Sequence, residues 1–271
     1  MSRPMPAWSL PADAAAASVV PRAWPESVTR EWAIGDSTGE GVSVCVVDSG
    51  VDGGHPLVTP LASAVGVERH GEELTVEPDE TGDVVGHGTA CAGIVRKVAP
   101  GCELHSVRVL GAGAKGSGDV MLTGLRYAVE HGYRVINLSF STTKRQLAEV
   151  LHELADTAYF GGSILVASAH NMPVESYPWR FASVVSVGSH DEADPLLWYA
   201  NPNPPVEFFA RGIDVDIAWP GGGTMRASGN SFAAPHIAGI CALVLAAHPD
   251  LTPFQLKSLL YLAAANTGGT P

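Results

Sequence analysis

The sequence predicts an α/β protein of three layers, in which helices cover both faces of a mostly parallel central sheet. From Gly41 onward, short runs of apolar and β-branched residues alternate with longer stretches that have a helical pattern. Such alternation is typical of parallel strands, because each parallel connection must cross the sheet and usually does so as a helix. The strand runs contain few polar residues, as expected for strands that are covered on both faces.

The expected elements follow one another along the chain in a regular order. Strands are predicted at 42–47, 104–109, 135–138, 164–167 and 184–187, and helices from His87 and over 119–130 and 144–159. The proline-rich stretch 201–205 and the glycine-rich stretch 220–224 are predicted to be loops, because proline cannot donate to a ladder and glycine favours turns. We also expect the tail after Asn266 to be frayed.

Length and composition favour a single large globular domain without a nucleic-acid or membrane partner. The 271 residues are 46% hydrophobic and 16% charged, and 28 acidic against 16 basic residues give a formal net charge of −12. An acidic protein lacks the excess of lysine and arginine with which proteins bind nucleic acid or anionic membranes. The longest apolar runs are shorter than the roughly 20 residues of a membrane-spanning helix, so we expect no such span.

The cysteines indicate neither a disulfide framework nor a metal centre. Four cysteines are present, and Cys45, Cys91 and Cys241 fall within apolar strand or helix patterns. We expect buried free thiols at these positions. The sequence has no CxxC motif and no cluster of cysteine with histidine, so we predict no structural zinc site. We expect no metal ligand among the site residues and no cofactor.

Three separated peptides supply the residues of a candidate catalytic triad. They read VVDSGVDGGHP, GHGTACAGIV and SGNSFAAPHIAG, and they contribute Asp48, His87 and Ser231 in that order. A serine hydroxyl is a poor nucleophile and needs a neutral imidazole to take its proton, while a carboxylate holds that imidazole in place. Taken singly, the aspartate could merely end a strand and the serine could cap a helix. Their joint occurrence, with glycines nearby, favours catalysis with Ser231 as the nucleophile.

Each of these peptides resembles its counterpart in the subtilisin-like serine proteases, also called subtilases or peptidase family S8. The similarity extends from about Gly41 to about Ala263. The order Asp, His, Ser is that of subtilisin rather than of chymotrypsin or the α/β-hydrolases. The resemblance implies the three-layer subtilisin-like fold and a serine endopeptidase that hydrolyses peptide bonds through an acyl-enzyme. It also implies that the partner of this protein is a peptide or protein substrate.

The resemblance divides the chain into two parts. Residues 41–271 would form the subtilisin-like peptidase domain. Residues 1–40, which are rich in alanine and proline, would form an N-terminal extension that wraps the surface of this domain. Trp24, Pro25 and Trp32 are the residues that we expect to dock the extension.

The resemblance also implies an oxyanion site. In subtilases the tetrahedral intermediate is bound by the backbone N–H of the nucleophile and by an asparagine that follows a strand of small residues. Here the stretch 167–169 leads through His170 to Asn171. Asparagine at a strand end is also a common turn residue, but the neighbouring triad favours the catalytic role. The chain departs from the family at His170, where relatives have glycine, and at Met172 and Pro173, where they usually have Glu-Gly.

The implied substrate-binding residues depart from the family as well. Relatives carry a glycine pair as one wall of the pocket for the residue before the cleaved bond, whereas this chain has Ser141 and Thr142. The added side chains should narrow or block this pocket, so we expect small or unusual residues there. An edge strand that pairs with extended substrate is expected at 116–120, where Asp119 could also cap a helix. The predicted substrate-binding residues are Gly116, Ser117, Gly118, Ser139, Phe140, Ser141, Ala169 and His170.

Three functions stay open at this point. The leading one is a serine endopeptidase, in one version a dedicated protease of intracellular peptide maturation, because Pro11 and Asp13 interrupt the stretch that most resembles a secretion signal. The protein would then be cytoplasmic, or secreted if a signal and pro-segment have been removed. The second is a catalytically impaired module that only binds peptides. The third is a transpeptidase, macrocyclase or esterase that uses the same acyl-enzyme. The oligomeric state does not follow from the sequence.

Overall fold

The computed structural model describes residues 9, 24–111, 113 and 116–267, and its centre is a nine-stranded sheet. In chain order the strands are β1 (Ser43–Asp48), β2 (Ser63–His70), β3 (Glu73–Pro78), β4 (Glu103–Arg108), β5 (Val135–Leu138), β6 (Ile164–Ser168), β7 (Val185–His190), β8 (Trp198–Ala200) and β9 (Phe208–Arg211). Across the sheet they lie in the order β3-β2-β4-β1-β5-β6-β7-β9-β8. All neighbouring pairs are parallel except the two at the edges, β2 with β3 and β8 with β9. The predicted mostly parallel sheet is therefore confirmed.

Helices cover both faces of this sheet. They are α1 (Arg30–Ile34), α2 (His87–Val98), α3 (Gly118–Glu130), α4 (Ala148–Phe160), α5 (Asn230–Ala247) and α6 (Pro253–Leu262). Buried residues of α1, α2, α5 and α6 belong to an apolar cluster on one face, and those of α3 and α4 belong to a cluster on the other. The predicted three-layer fold is confirmed by this arrangement.

Strand β1 shows why the buried strands have a continuous apolar sequence. Val44 and Val46 point into one apolar cluster, whereas Cys45 and Val47 point into the other. All four side chains are fully buried. Full burial of one such side chain contributes roughly 1.5–3 kcal/mol. Because successive residues of a strand face opposite sides, a strand with two covered faces needs apolar residues at every position.

Helix α5 is strongly apolar. Within the described part of the chain it is the one helix whose length and mean hydropathy of 1.5 would allow it to cross a membrane. However, it contacts β5, β6, β7 and α2, and 78% of it is buried inside the protein. A helix that is surrounded by protein is hydrophobic on all sides, so burial accounts for its composition.

The predicted strands agree with the observed ones, but several further strands were missed. Each of the five predicted strands begins within one residue of an observed strand. The missed strands are the edge pairs of the sheet and a separate antiparallel hairpin of β10 (Val215–Trp219) and β11 (Gly223–Ala227). Residues of β3 and β11 are mostly half-buried or exposed, so these strands lack the apolar run that marks a buried strand.

Three further predictions concern loops and helix ends. The stretch 201–205 connects β8 with β9, as predicted. The predicted loop 220–224 includes the turn of the second hairpin, but its last two residues begin β11, so this prediction was partly wrong. The helix predicted from residue 144 begins at Ala148, after a 3₁₀ turn at Arg145–Leu147.

Residues 24–40 pack onto the same core as the rest of the described chain. The last two residues of α1 are buried, and Trp24 and Trp32 contact the apolar cluster that α2 and α5 also line. Pro25 is half-buried. The division of the chain at residue 40 stays a prediction. The predicted extension before Trp24, apart from residue 9, lies outside the described residues, as do the last four residues of the predicted frayed tail.

Candidate active site

Asp48 and His87 are joined at the carboxyl edge of the sheet. Asp48 is the last residue of β1 and is fully buried, and His87 is the first residue of α2. The imidazole Nδ1 lies 2.8 Å from Asp48 Oδ1 and 2.9 Å from Asp48 Oδ2. Because a carboxylate only accepts hydrogen bonds, Nδ1 carries the proton and donates it. In the neutral ring Nε2 is then free to accept a proton from a nucleophile.

The carboxylate of Asp48 changes the acidity of His87. Burial of the ring favours its neutral form and acts to lower its pKa, but the Asp48 charge and the contact with Cys91 outweigh burial. The pKa of His87 is therefore raised above its ordinary value of 6.5. The backbone N–H of Ser49 donates to Asp48 Oδ1 at 2.8 Å and so helps to orient the carboxylate.

Cys91 lies between the histidine and the helix of the candidate nucleophile. Its Sγ is 3.9 Å from His87 Nδ1, and its thiol donates to the backbone carbonyl of Ser231 at 3.6 Å. Burial raises the pKa of this thiol, so it stays protonated. Asp48, His87 and Cys91 form the one group in the described part of the chain whose ligand atoms lie close enough, within 4.8 Å, to hold a metal ion. In this structure Nδ1 donates to Asp48 and the thiol donates to the Ser231 carbonyl, so both atoms take part in the hydrogen bonds of the triad region.

Asp83, which the sequence analysis did not single out, ties the end of β1 to the start of α2. Its Oδ1 accepts from Ser49 Oγ at 2.8 Å and from the N–H groups of Val85 and Gly86 at 2.9 and 2.7 Å. Its Oδ2 accepts from the N–H and hydroxyl of Thr89 at 2.8 and 2.6 Å. A carboxylate suits this place, because the first N–H groups of a helix lack internal partners and carry partial positive charge.

The glycines beside His87 permit close packing. A Cβ at Gly88 would lie 2.0 Å from the carbonyl oxygen of Gly50, in the turn that follows Asp48. Gly86 has a φ of +99°, and a Cβ there would lie 2.6 Å from the ring of Trp219. Larger residues at these positions would push the start of α2 away from β1 and so separate the histidine from its carboxylate.

Ser231 and Asn171 face a single space at the other side of the site. Ser231 is the second residue of α5, and Asn171 lies three residues beyond the end of β6. A Cβ built on Gly229 would lie 3.3 Å from Ser231 Oγ and 3.5 Å from Asn171 Nδ2, so the hydroxyl and the amide approach the same point. Within the described residues no hydrogen bond joins Ser231 Oγ to His87. Such catalytic contacts often tighten only when substrate binds.

The amide of Asn171 is oriented by the helix that carries Ser231. Asn171 Oδ1 accepts the backbone N–H of Asn230 at 2.9 Å. Because Oδ1 is engaged in this way, Nδ2 is the donor that is left for a substrate oxygen. The N–H of Ser231 lies in the first turn of α5, where helix N–H groups have no internal partner. These two donors have the character of an oxyanion hole.

A cleft brings most of the predicted site residues together. Its volume is about 370 Å³. Its lining includes the candidate nucleophile, base and oxyanion donor and five of the eight predicted substrate-binding residues. The lining consists of His87, Leu110, Ser139, Phe140, Ser141, Ser168, Ala169, His170, Asn171 and Ser231. Asp48 lies behind His87 and does not reach this cleft.

The remaining three predicted substrate-binding residues, Gly116, Ser117 and Gly118, do not line this cleft. Ser117 is the N-cap of α3 and Gly118 is its first residue, so an edge strand over residues 118–120 was a wrong prediction. Asp119 is not the cap, because the helix begins before it, and its carboxylate instead forms an ion pair with Arg69. A role of residues 116–118 in binding substrate stays a prediction.

One wall of the cleft is fastened to the loop that follows Asn171. Ser176 Oγ donates to Ser141 Oγ at 3.0 Å, and Thr142 and Tyr177 exchange two backbone hydrogen bonds of 2.9 Å. Ser176 is fully buried, and its hydroxyl also accepts from the indole N–H of Trp179 at 2.8 Å. Ser141 was predicted from the sequence but Ser176 was not, because a serine in a loop gives no sign of the residue that it contacts.

His170 adds a side chain to the cleft at the position before the candidate oxyanion donor. Its ring is half-buried, and its Nδ1 accepts the backbone N–H of Met172 at 3.0 Å. The ring is therefore held against the following loop. The departure from glycine that the sequence indicated at this position thus changes the lining of the cleft.

Comparison with known proteins agrees with this geometry. The model of the subtilase family, peptidase S8, matches residues 39–271. The fold and the site define a subtilisin-like serine protease. The chain therefore belongs to the subtilase family.

Individual relatives resemble the chain over most of its length. It is 31% identical over 244 residues to Subtilisin Savinase from Lederbergia lenta, covering 86% of this chain and 87% of that protein. It is also 31% identical to M-protease from Shouchella clausii, and this match spans 86% of the chain and 61% of M-protease. A crystal structure of a cold adapted subtilisin-like serine proteinase superimposes with a TM-score of 0.69 at 27% identity, over 86% of this chain and 87% of the other.

Proposed function

We propose that this chain is a serine endopeptidase that hydrolyses peptide bonds through an acyl-enzyme. The observation that carries the proposal is the hydrogen bond from His87 to the buried Asp48 at the rim of a cleft that Ser231 and Asn171 also line. The fold itself does not require these four side chains to be arranged in this way. Nucleophilic catalysis by serine requires all four.

The reaction follows from the positions of these groups. Ser231 Oγ attacks the carbonyl carbon while its proton passes to His87 Nε2, and Asp48 stabilises the imidazolium that forms. The carbonyl oxygen becomes an oxyanion and accepts hydrogen bonds from Asn171 Nδ2 and the Ser231 N–H. His87 then returns the proton to the leaving amine, and the C–N bond breaks. Water attacks the resulting ester with His87 as base, which releases a carboxylic acid and restores Ser231.

The first test is labelling of the purified protein with a fluorophosphonate, followed by mass spectrometry to locate the adduct. This reagent reports the activated serine without knowledge of the substrate. We expect one adduct on Ser231 that is absent from Ser231→Ala. No labelling of the folded protein would contradict the proposal and would favour a module that only binds peptides. Product masses then separate hydrolysis, which adds water, from transfer to another amine.

We also propose that the pocket for the residue before the cleaved bond is narrow. The proposal is supported by Ser141, whose side chain lines the cleft and whose hydroxyl is bonded to the buried Ser176. Because Ser176 is in turn held by Trp179, the two serines cannot separate without the loss of buried hydrogen bonds. A narrow pocket favours glycine, alanine or serine at this substrate position.

Peptides that differ in this one residue test the pocket. We expect Ser141→Gly to raise kcat/KM for peptides with leucine or phenylalanine before the cleaved bond, relative to the peptide with alanine, by about tenfold or more. One misfitting methylene group already changes selectivity by about 10–200-fold. Thr143→Gly is a matched control, because Thr143 is an exposed neighbour that does not line the cleft. Equal cleavage of all residues by the native enzyme would contradict a narrow pocket.

A dedicated role in peptide maturation in the cytoplasm is the biological form of this proposal. It rests on the narrow pocket proposed above, and it is supported by four buried, free cysteines, which are usual in compartments that keep thiols reduced. Fractionation of cells that express the full chain tests the location. Incubation with a broad panel of unfolded proteins tests the role, and rapid degradation without preference would contradict it.

A further inference from the structure

Asn230 precedes the candidate nucleophile but does not face the cleft. It is the first residue of α5, and it is absent from the lining of the cleft, whereas its neighbour Ser231 belongs to it. Asn230 instead lines a neighbouring cavity, which shares Ala169 and His170 with the cleft. Within the described residues its side chain is engaged by hydrogen bonds to protein groups.

The backbone and side chain of Asn230 bind three consecutive residues of the segment that ends at Asn171. The side-chain Nδ2 donates to the carbonyl oxygens of Ala169 at 3.2 Å and His170 at 3.4 Å. The backbone N–H of Asn230 donates to Asn171 Oδ1 at 2.9 Å. The side-chain Oδ1 accepts the hydroxyl of Ser189, at the C-terminal part of β7, at 2.8 Å. Asn230 thus joins the nucleophile helix, the end of β6 and β7.

Other hydrogen bonds of the segment that carries Asn171 involve the N–H of Ala169, which donates to the Val187 carbonyl at 2.8 Å, and the N–H of Met172, which donates to His170 Nδ1 at 3.0 Å. Asn171 and Met172 are exposed, and the next residue, Pro173, has no N–H to donate. The carbonyl oxygens of Ala169 and His170 have no hydrogen-bond donor other than Asn230 among the described residues. The direction of the Asn171 amide therefore depends on the contacts that Asn230 makes.

We propose that Asn230 is a positioning residue that holds Asn171 Nδ2 in the direction needed to bind the oxyanion. The inference rests on the proposed function, because it requires Asn171 to act as the oxyanion donor. An asparagine suits the position, since a single short side chain must supply donors to two carbonyl oxygens and an acceptor to Ser189. Aspartate would set a carboxylate against those two carbonyl oxygens, and alanine would leave all three partners without a bond.

The test is a double-mutant cycle of Asn230→Ala and Asn171→Ala, measured on one peptide substrate. Asn171→Ala alone should lower kcat by about 10²- to 10³-fold, the usual cost of one oxyanion donor. Asn230→Ala alone should lower kcat by about tenfold and change KM by less than about twofold, since the lost interaction belongs to the transition state. In the Asn171→Ala background, Asn230→Ala should have an effect below about twofold, because the amide that it positions is gone.

Two outcomes would overturn the inference. If Asn230→Ala still lowers kcat by tenfold in the Asn171→Ala background, Asn230 acts on another group. If Asn230→Ala leaves kcat unchanged in the native background, Asn171 needs no such support. Ser189→Ala is a second variant, which leaves Asn230 intact and removes one of its hydrogen bonds. We expect it to lower kcat as well, but by less than Asn230→Ala does. An unchanged kcat for Asn171→Ala itself would instead refute the proposed oxyanion role, so the two failures are distinguishable.

Discussion

His87 Nδ1 and Asp48 Oδ1 lie 2.8 Å apart, and only the histidine of this pair reaches the cleft. The carboxylate is fully buried behind the ring, at the end of the central strand β1. A negative charge is thus placed on the far side of the base from the substrate. This asymmetry lets Asp48 stabilise the imidazolium while its negative charge stays away from the oxyanion that forms in the cleft.

Activity should increase with pH through the pKa of His87. The base must be neutral to accept the Ser231 proton, and the Asp48 charge raises its pKa above 6.5, so the acid limb of kcat/KM should have its midpoint above 6.5. The stability of the ion pair has the opposite dependence. Because the pKa of His87 is raised in the folded state, the ion pair contributes fully to the free energy of unfolding below pH 6.5. This contribution is lost as the pH rises through the folded-state pKa.

A pH–rate profile of the native enzyme and thermal unfolding of Ser231→Ala over the same pH range measure these two effects. An acid limb at or below 6.5 would contradict the raised pKa.

Asp48→Asn should lower kcat by about 10⁴-fold while the fold is retained, because an amide cannot hold the imidazole in the tautomer that leaves Nε2 free. The acid limb should also move to lower pH, since burial lowers the pKa of His87 and the Asp48 charge, its largest opposing cause, is removed. Steady-state kinetics as a function of pH measure both changes. Asp250→Asn, at an exposed position, is the control and should change neither.

Asp83→Ala should destabilise the protein as well as the site. The carboxylate accepts five hydrogen bonds, and several of the donors are buried or half-buried at the start of α2. Loss of such an acceptor costs about 1–3 kcal/mol of unfolding free energy for buried donors. Urea denaturation measures this loss, with the exposed Asp191→Ala as control. A stability equal to that of the control would show that water replaces the carboxylate.

Gly229→Ala and Gly88→Ala should fail in different ways. At Gly229 the φ of 164° suits any residue, but a Cβ would enter the space between Ser231 Oγ and Asn171 Nδ2. We expect lower kcat with nearly native stability. At Gly88 a Cβ would lie 2.0 Å from the Gly50 carbonyl oxygen, so we expect a less stable protein. Thermal unfolding and kinetics of both variants separate these effects, and a stable, active Gly229→Ala would refute the placement of the oxyanion.

The sequence predicts the parts of the fold and site that depend on local pattern. Strand β1 is recognisable because both of its faces are buried, and the peptides around His87 and Ser231 carry their own signature. The edge pair β2 and β3 escaped prediction, since half-exposed strands depend on their neighbours for their conformation.

Supporting residues of the site were missed for a related reason. Asp83, Ser176 and Asn230 each have a partner that is far away along the chain, at 34, 35 and 61 residues respectively. No local pattern distinguishes them from ordinary turn or cap residues. The helix start at Gly118 was misjudged because GSG followed by aspartate is compatible both with an extended edge and with a helix cap.

The attachment of Ser231 to helix α5 determines how the enzyme should lose activity on heating. Almost every residue of α5 after the serine is buried in the core, so the helix cannot open without disruption of the whole sheet. Heat inactivation should therefore coincide with global unfolding, and backbone amides in the middle of α5 should exchange hydrogen only through that event. The exposed strand β11, by contrast, can open earlier without carrying the nucleophile with it.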